Sequence, residues 1–491
     1  MIHNRESLKK EIQKKLGGDL FIVVSNREPY LHTYSEGGEI ICQRPASGMA
    51  VALDSVLRTS EGVWIAHGSG NADHEVVNAN NKVRVPPENP QYVLKRVWLT
   101  KEQEDRYYYG FANEALWPLC HIAYTRPVFN EVDWNSYKEV NRIFADSVCD
   151  EIGDKKAFVF IQDYHLALLS GMIKERCPQA ITAQFWHIPW PNPEAFRICP
   201  WKHELLAGLL GNDMLGFHIR YHCNNFIDTI DREMEAKPDR EELAIVYQGK
   251  VTKIRSFPIS VDIEQISKRS DSPEVAKQIQ AVKAIPGLQR YEFLAVSADR
   301  LDYTKGIPER LKAVDRFLDK YPQYQKRFVF YQAGVPSRTH IDEYKKLLEE
   351  VSGLVEEINW KYRAGAWEPI IFNKTHHSQL ELLALFKLAD ICIVSSLHDG
   401  MNLVAKEFIS ARTDESGALL ISEFTGAARE LKDAFIINPY AIDQFAESIK
   451  TALEMPLDEK QHRMRRLRAI VSENNIYTWG QNIISKLSKI G

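Results

Sequence analysis

The sequence predicts an α/β protein built on parallel sheets, and three observations carry that prediction. Short continuous apolar runs recur from end to end, amphipathic helical segments alternate with them, and 491 residues exceed one ordinary core. The runs occupy residues 20–25, 157–162, 292–297, 327–332, 389–396 and 418–422. Continuous rather than alternating apolarity marks strands buried on both faces. Between them, PERLKAVDRFLDKY, HIDEYKKLLEEVSGLV and SQLELLALFKLA place apolar residues three and four apart, as helices packed on a sheet require. At SFPISVD, residues 256–262, a strand-like run meets a proline, and the alternation restarts at Glu292. Two domains are therefore expected, 1–256 and 257–474, with a C-terminal amphipathic helix at 475–491 returning to the first. Two open sheets facing each other across a cleft would place ligands at the carboxyl ends of their strands.

Composition narrows the class. Hydrophobic residues at 44% and charged residues at 26% exclude disordered and fibrous chains, and a net charge of -4 calls for neither a nucleic-acid nor a membrane partner. The seven cysteines are scattered without a C-x-x-C pair, the pattern of reduced thiols without a zinc framework. The N-terminal segment has no apolar h-region, and no apolar run approaches the ~18 residues that cross a bilayer. A soluble, cytoplasmic protein is expected.

Four groups of residues carry candidate chemistry. SADRLDYTKGIPERL follows a strand and opens a helix near Pro308, so Arg300 and Lys305 lie on a strand-to-helix loop beside a helix N-terminus, an arrangement suited to a diphosphate. The plainer alternative is a surface loop paired with carboxylates. SSLHDGMNLVAKEF repeats the geometry: Gly400 admits close backbone approach, the amides of Met401, Asn402 and Leu403 point from a helix start, and Glu407 returns to the same face two turns on. Here the alternative is Asp399 as a helix cap and Glu407 as an exposed carboxylate. VVSNREPY puts Arg27 on the loop after the first strand, and PASGMAVALDSVL makes a small-residue turn at Gly48. RYYYGFANEALWPLCH, FIQDYHLALL and AQFWHIPWPNPEAF supply Tyr108, Trp117, Asp163, Tyr164 and His187, the flat apolar faces and convergent polar groups that sugars require, although most such aromatics serve as core.

Taken in order, VSNR, the glycine turn, FANEALWPLCH, QDYHLALL, HIPWP, ELLAGLLGNDMLGFH, FPISVD, RLDYTKGIPERL, VPSR, DGMNLVAKE and SEFTGAARELKDAFIINP resemble the trehalose-6-phosphate synthase family, retaining GT-B glycosyltransferases of family 20. The resemblance implies two Rossmann-like domains, an N-terminal one for the acceptor and a C-terminal one for the nucleotide sugar. It implies that Arg300, Lys305, Gly400, Met401, Asn402, Leu403 and Glu407 hold the nucleotide diphosphate and ribose, and that Gly48, His187 and Asp399 meet the donor glucose. Arg27, Tyr108, Trp117, Asp163, Tyr164, His218 and Arg338 would hold the acceptor, the two arginines on its phosphate. Asp163, His187, Arg300, Lys305 and Asp399 would serve catalysis, with no metal and no cofactor beyond a nucleotide-sugar co-substrate, UDP-glucose first among them.

The reaction so implied is glucosyl transfer with retention to glucose 6-phosphate, giving trehalose 6-phosphate. Transfer to glycerol 3-phosphate is the alternative within the same chemistry, and a non-catalytic sugar-phosphate sensor the alternative outside it. A phosphorylase or dinucleotide oxidoreductase is disfavoured, because no G-x-G-x-x-G follows the first strand and no lysine-bound cofactor motif is evident. Departures from the family pattern are Ser47, His67, Trp186 and His398, of which His67 and Trp186 bear on acceptor identity. Self-association is left open, and a separate phosphatase is expected to act next, no phosphatase domain being evident in the sequence.

Overall fold

Apolar runs become strands because each one finds a neighbour on both sides. The structure is a computed structural model that describes residues 3–44, 50, 53, 54, 57, 58, 60–289 and 291–490; Ser47 and Gly48 lie outside the described residues. It divides into two units, Met1–Ile259 with Ile476–Gly491, and Ser260–Asn475.

In the first unit the strands are β1 (Leu20–Arg27), β2 (Leu31–Tyr34), β3 (Ile40–Gln43), β4 (Val63–His67), β5 (Lys82–Val85), β6 (Tyr92–Val97), β7 (Ala157–Gln162), β8 (Ile181–Phe185), β9 (Met214–Phe217), β10 (Lys237–Asp239), β11 (Ala244–Tyr247) and β12 (Lys250–Ser256). Ten of them form one sheet, β10-β11-β12-β9-β8-β7-β1-β4-β6-β5, with β2 and β3 as a separate hairpin. From β12 to β6 every pairing is parallel, and the strands at the two ends join antiparallel. The chain leaves β1 in one direction through β4 and β6 and in the other through β7, β8 and β9, so the order reverses between β1 and β7. Such a switch point opens a crevice at the carboxyl ends of the strands.

The second unit repeats the scheme with β13 (Phe293–Leu301), β14 (Phe328–Pro336), β15 (Ile370–Asn373), β16 (Ile391–Val394), β17 (Ala418–Ser422) and β18 (Phe435–Ile437). Their order is β15-β14-β13-β16-β17-β18, all parallel, with the switch between β13 and β16. The helix Ile307–Lys320 covers one face by burying Leu311, Val314, Phe317 and Leu318 against Phe328 and Phe330. The helix Gln379–Leu388 starts at Ser378, whose hydroxyl accepts from Glu381 N while the Glu381 carboxylate accepts from Ser378 N.

The C-terminal helix Ile476–Leu487 belongs to the first unit, where Trp479 packs its ring 6.0 Å from Phe160 of β7 and 5.4 Å from Phe185 of β8. No helix among the described residues is long and apolar enough to cross a membrane.

Two site residues sit differently from their sequence-based placement. Arg300 lies within β13 rather than on the loop after it, because β13 and β14 stay paired in register through Arg300–Val335 and Leu301–Pro336. Arg27 ends β1, opposite His67 of β4, after a register irregularity that follows Ser25. A central strand with a partner on each side runs further than its apolar residues alone indicate.

Candidate functional site

The carboxyl edge of the second unit is organised around one turn. Gly306 adopts a left-handed conformation, φ 60°, and a Cβ there would lie 2.2 Å from the Ser395 carbonyl, so only glycine lets the β13 loop press against the loop after β16. Arg310, one turn into the following helix and fully buried, locks that approach. Its Nε donates to Ser395 Oγ (2.9 Å), Nη1 to Asp299 Oδ2 (2.8 Å) and Gln332 Oε1 (2.7 Å), and Nη2 to the Lys305 carbonyl (3.2 Å). The side chain of Lys305 is thereby delivered to Asp399, Nζ to Oδ2 at 2.6 Å. Asp399 Oδ2 also accepts from Ser396 Oγ and Asn402 Nδ2, each at 3.2 Å.

Asp399 does not cap the next helix; Asn402 does. Its side chain accepts from Ala405 N (3.1 Å) at the start of Leu403–Ala411, and its backbone takes the rare φ of 105° to do so. Gly400 and the buried Met401 lead into this helix start. Glu407, on the same helix, is half-buried and has no hydrogen-bond partner among the described residues. Burial alone pushes its carboxyl up to about 7.

Asp302, at 1% exposure, is the other centre of charge. Its Oδ1 accepts from Thr304 N (3.0 Å) and Oγ1 (2.8 Å), and its Oδ2 from the Tyr344 hydroxyl (3.0 Å), with Arg338 Nη1 at 3.5 Å. Burial opposes its charge, but Arg338, Arg300 and Lys305 together hold the carboxyl below the usual range. Arg338 adopts a left-handed backbone, φ 51°, and its Nη1 meets the Tyr344 hydroxyl at 2.5 Å. Three cations thus gather about one buried carboxylate at the edge of a parallel sheet, an arrangement that suits phosphates.

In the first unit the edge is largely aromatic, with Arg27 and Asp163 among its charged residues. Arg27 Nη2 donates to the Tyr108 hydroxyl (2.9 Å), and Tyr108 stacks on His165 at 5.5 Å and 9°. Tyr108 belongs to a π-helical stretch, Asp105–Leu116, which ends at Trp117, itself buried against His121 and Tyr164. Tyr164 is buried and spends its hydroxyl on Asn113 Oδ1 (2.8 Å). Asp163 holds a left-handed φ of 69° while its carboxylate accepts from Tyr164 N (3.0 Å) and His187 N (3.1 Å), fixing the loops after β7 and β8 together. His187 Nε2 meets Gln162 Oε1 (3.0 Å), and burial drives the imidazole down to about 3, so it is neutral. Its ring lies 5.4 Å from that of His218, whose Nδ1 accepts from Ile259 N (3.4 Å). Trp186 is buried 5.0 Å from Trp190, and His67 is buried at the end of β4 with its basicity lowered by that burial.

Behind Arg27 a second buried cation ties loops together. Arg96 of β6 donates through Nε to Glu28 Oε2 (2.8 Å), through Nη2 to the Tyr30 carbonyl (3.1 Å), and meets Asp73 Oδ1 at 2.7 Å. Sequence reasoning named neither Arg96 and Glu28 nor Arg310, Asp302 and Tyr344. Arg310 left one signal, an arginine on the face that also carries Ile307, Leu311 and Val314.

Twin doubly wound sheets, one edge suited to phosphates and the other to a sugar, define a sugar-transferring enzyme of the GT-B class. Glycosyltransferase family 20 matches residues 19–489, and the chain belongs to that family. It is 33% identical over 482 residues to the trehalose-6-phosphate synthase of Mycobacterium avium (strain 104), covering 97% of this chain and 96% of that protein. To the 56 kDa subunit of the UDP-forming alpha,alpha-trehalose-phosphate synthase of Kluyveromyces lactis it is 32% identical, covering 96% of each. Among solved structures, the UDP-forming synthase of Burkholderia xenovorans in complex with glucose-6-phosphate superposes with a TM-score of 0.85 at 30% identity, covering 95% of this chain and 99% of that one. The E. coli protein bound with UDP-2-fluoro glucose gives 0.84 at 29%, covering 96% and 99%.

Replacing Arg310 tests the organisation of the second edge. Arg310→Met strands Asp299 in the core, and the unfolding free energy measured in urea falls by ~3–5 kcal/mol; a loss under ~1 kcal/mol contradicts the role given to this residue.

Proposed function

We propose that this enzyme transfers glucose, with retention, from UDP-glucose to glucose 6-phosphate and releases trehalose 6-phosphate and UDP. The observation that carries the reading is the gathering of Arg300, Lys305 and Arg338 about the buried Asp302, with the unpartnered Glu407 carboxylate on the neighbouring helix. The relatives' names and the two ligands in the solved relatives support the substrates.

In this reading the second unit takes the nucleotide sugar. Arg300 and Lys305 meet the diphosphate and stabilise the charge that grows on it as the bond to the anomeric carbon breaks. The helix start at Asn402 and Leu403, after Gly400 and Met401, offers backbone amides, and Glu407 accepts from ribose hydroxyls. Asp399, steadied by Lys305, Ser396 and Asn402, accepts from glucose hydroxyls. Neutral His187 also contacts the donor sugar without adding charge, and Gly48 is assigned to the same sugar by resemblance. Arg27 and Arg338 take the acceptor phosphate, while Tyr108, Trp117, Asp163, Tyr164 and His218 shape the acceptor sugar's surroundings. The acceptor hydroxyl bonds to the anomeric carbon on the face that the diphosphate leaves, and its proton passes to a diphosphate oxygen. No nucleophilic side chain enters, and Arg300 and Lys305 supply at the diphosphate the positive charge that a metal would otherwise supply. We place the enzyme in the cytoplasm with its cysteines reduced, expect a separate phosphatase to consume the product, and leave self-association open.

The direct test offers the purified protein UDP-, ADP- or GDP-glucose with glucose 6-phosphate and, separately, glycerol 3-phosphate, and identifies products by mass. Trehalose 6-phosphate forms, and Arg300→Ala lowers kcat by ~100-fold or more. Consumption of glycerol 3-phosphate alone overturns the acceptor, and no reaction with any pair favours a sensor.

Glu407 gives a pH signature. Its free-state value near 7 lies above the ordinary 4.5, so the neutral form is favoured when the site is empty, whereas ribose hydroxyls favour the ionised form. Ligand binding then expels a proton below that value, and UDP affinity rises with pH by up to ~10-fold per unit until it levels off above about 7. Calorimetry shows that rise in the wild type and a flatter profile in Glu407→Gln; identical profiles contradict the assignment.

A further inference from the structure

We propose that Asp302 and Tyr344 form a positioning pair that couples the two substrates, transmitting occupancy of the diphosphate loop to the arginine that receives the acceptor phosphate. The inference rests on the function proposed above and adds to it a role for two residues that touch neither substrate.

The geometry has three parts. Asp302 is the hinge of the diphosphate loop: its carbonyl accepts from Lys305 N (3.0 Å), and its Oδ1 accepts both the amide and the hydroxyl of Thr304. The direction of the Asp302 carboxylate is therefore set by the same turn that presents Lys305, while Arg300 lies two residues before it on β13. Its other oxygen, Oδ2, is met by Arg338 Nη1 (3.5 Å) from the loop after β14 and by the Tyr344 hydroxyl (3.0 Å) from the first turn of the helix Asp342–Tyr362 that follows. Tyr344 closes the triangle by contacting Arg338 Nη1 at 2.5 Å, with the guanidinium 5.5 Å from its ring.

Pinning one terminal nitrogen of a planar guanidinium fixes the direction in which the rest of its fork points. Arg338 needs such a hold, since its backbone sits at φ 51°, a left-handed conformation that non-glycine residues rarely adopt. Asp302 and Tyr344 are buried at 1% and 3% exposure, so this hold is made inside the protein and not by solvent. A diphosphate that orders the turn from Arg300 to Lys305 orders Asp302 with it, and a better-fixed Asp302 presents Arg338 to the acceptor phosphate in one orientation. Reciprocity requires that the acceptor strengthen nucleotide binding by the same factor. A carboxylate facing three cations would otherwise only weaken anion binding, and the geometry it imposes gives it a role at the centre of the cluster.

The test is calorimetric titration of glucose 6-phosphate into the wild type, Asp302→Asn and Tyr344→Phe, each with and without saturating UDP. In the wild type UDP tightens glucose 6-phosphate by ~10-fold. Both variants bring that ratio to within about twofold of unity, while UDP alone binds Tyr344→Phe within about threefold of the wild type. Tyr344→Phe keeps the ring and all charges, so it serves even if Asp302→Asn does not fold. An unchanged ratio in Tyr344→Phe, a uniform weakening of both ligands that leaves the ratio intact, or no coupling in the wild type overturns the inference. Each of those results can occur while the enzyme still makes trehalose 6-phosphate, so failure of the coupling is distinct from failure of the proposed reaction.

Discussion

The guanidinium of Arg310 is the constraint on which the nucleotide-side geometry depends. It is fully buried and reaches three adjacent strands at once, through Asp299 of β13, Gln332 of β14 and Ser395 just past β16, as well as the Lys305 carbonyl. A buried ion pair is weak ground for stability, because desolvation offsets most of its attraction. Its effect is on position: the switch point between β13 and β16 is held at one width, and Lys305, Asp302 and Asp399 inherit their places from it. Gly306 is the steric half of the same arrangement, since only a missing Cβ lets the two loops touch.

The first unit solves the same problem with different residues. Arg96 ties the segment after β1 to Asp73, and the Glu28 carboxylate beside it also accepts from Ser69 N (3.0 Å) in the loop after β4. Burial above all pushes Glu28 up to about 8, with a shared hydrogen bond to Asp73 adding to it, so the cluster carries less charge than its residues suggest. Asp163 does the equivalent for β7 and β8 by accepting two backbone amides from a left-handed conformation. In both units, buried polar groups fix the loops that carry the residues assigned to ligands.

Much of this was legible before the structure. The α/β class followed from the spacing of apolar runs, and every run named from the sequence coincides with a strand of one of the two sheets. Strand ends were less legible, because pairing carries β13 and β14 past their apolar residues into Asp299, Arg300 and Val335, and takes β1 to Arg27. The loops bearing Lys305 and Asp399 declared themselves by position after a strand and before a helix. What stayed hidden were partners distant in sequence: Arg310 and Ser395 are 85 residues apart, Arg96 and Glu28 68, and Tyr344 and Asp302 42. An arginine in a helix, or an aspartate in a turn, reads as surface until the fold buries it.

The most direct measurement is a crystal structure of the protein with UDP bound. The account predicts diphosphate oxygens within hydrogen-bond distance of Arg300 and Lys305 and ribose hydroxyls on the Glu407 carboxylate, with Arg310 unmoved beneath them. A nucleotide seated away from the β13–β16 switch point, or a Glu407 left without a ligand partner in the complex, would contradict it.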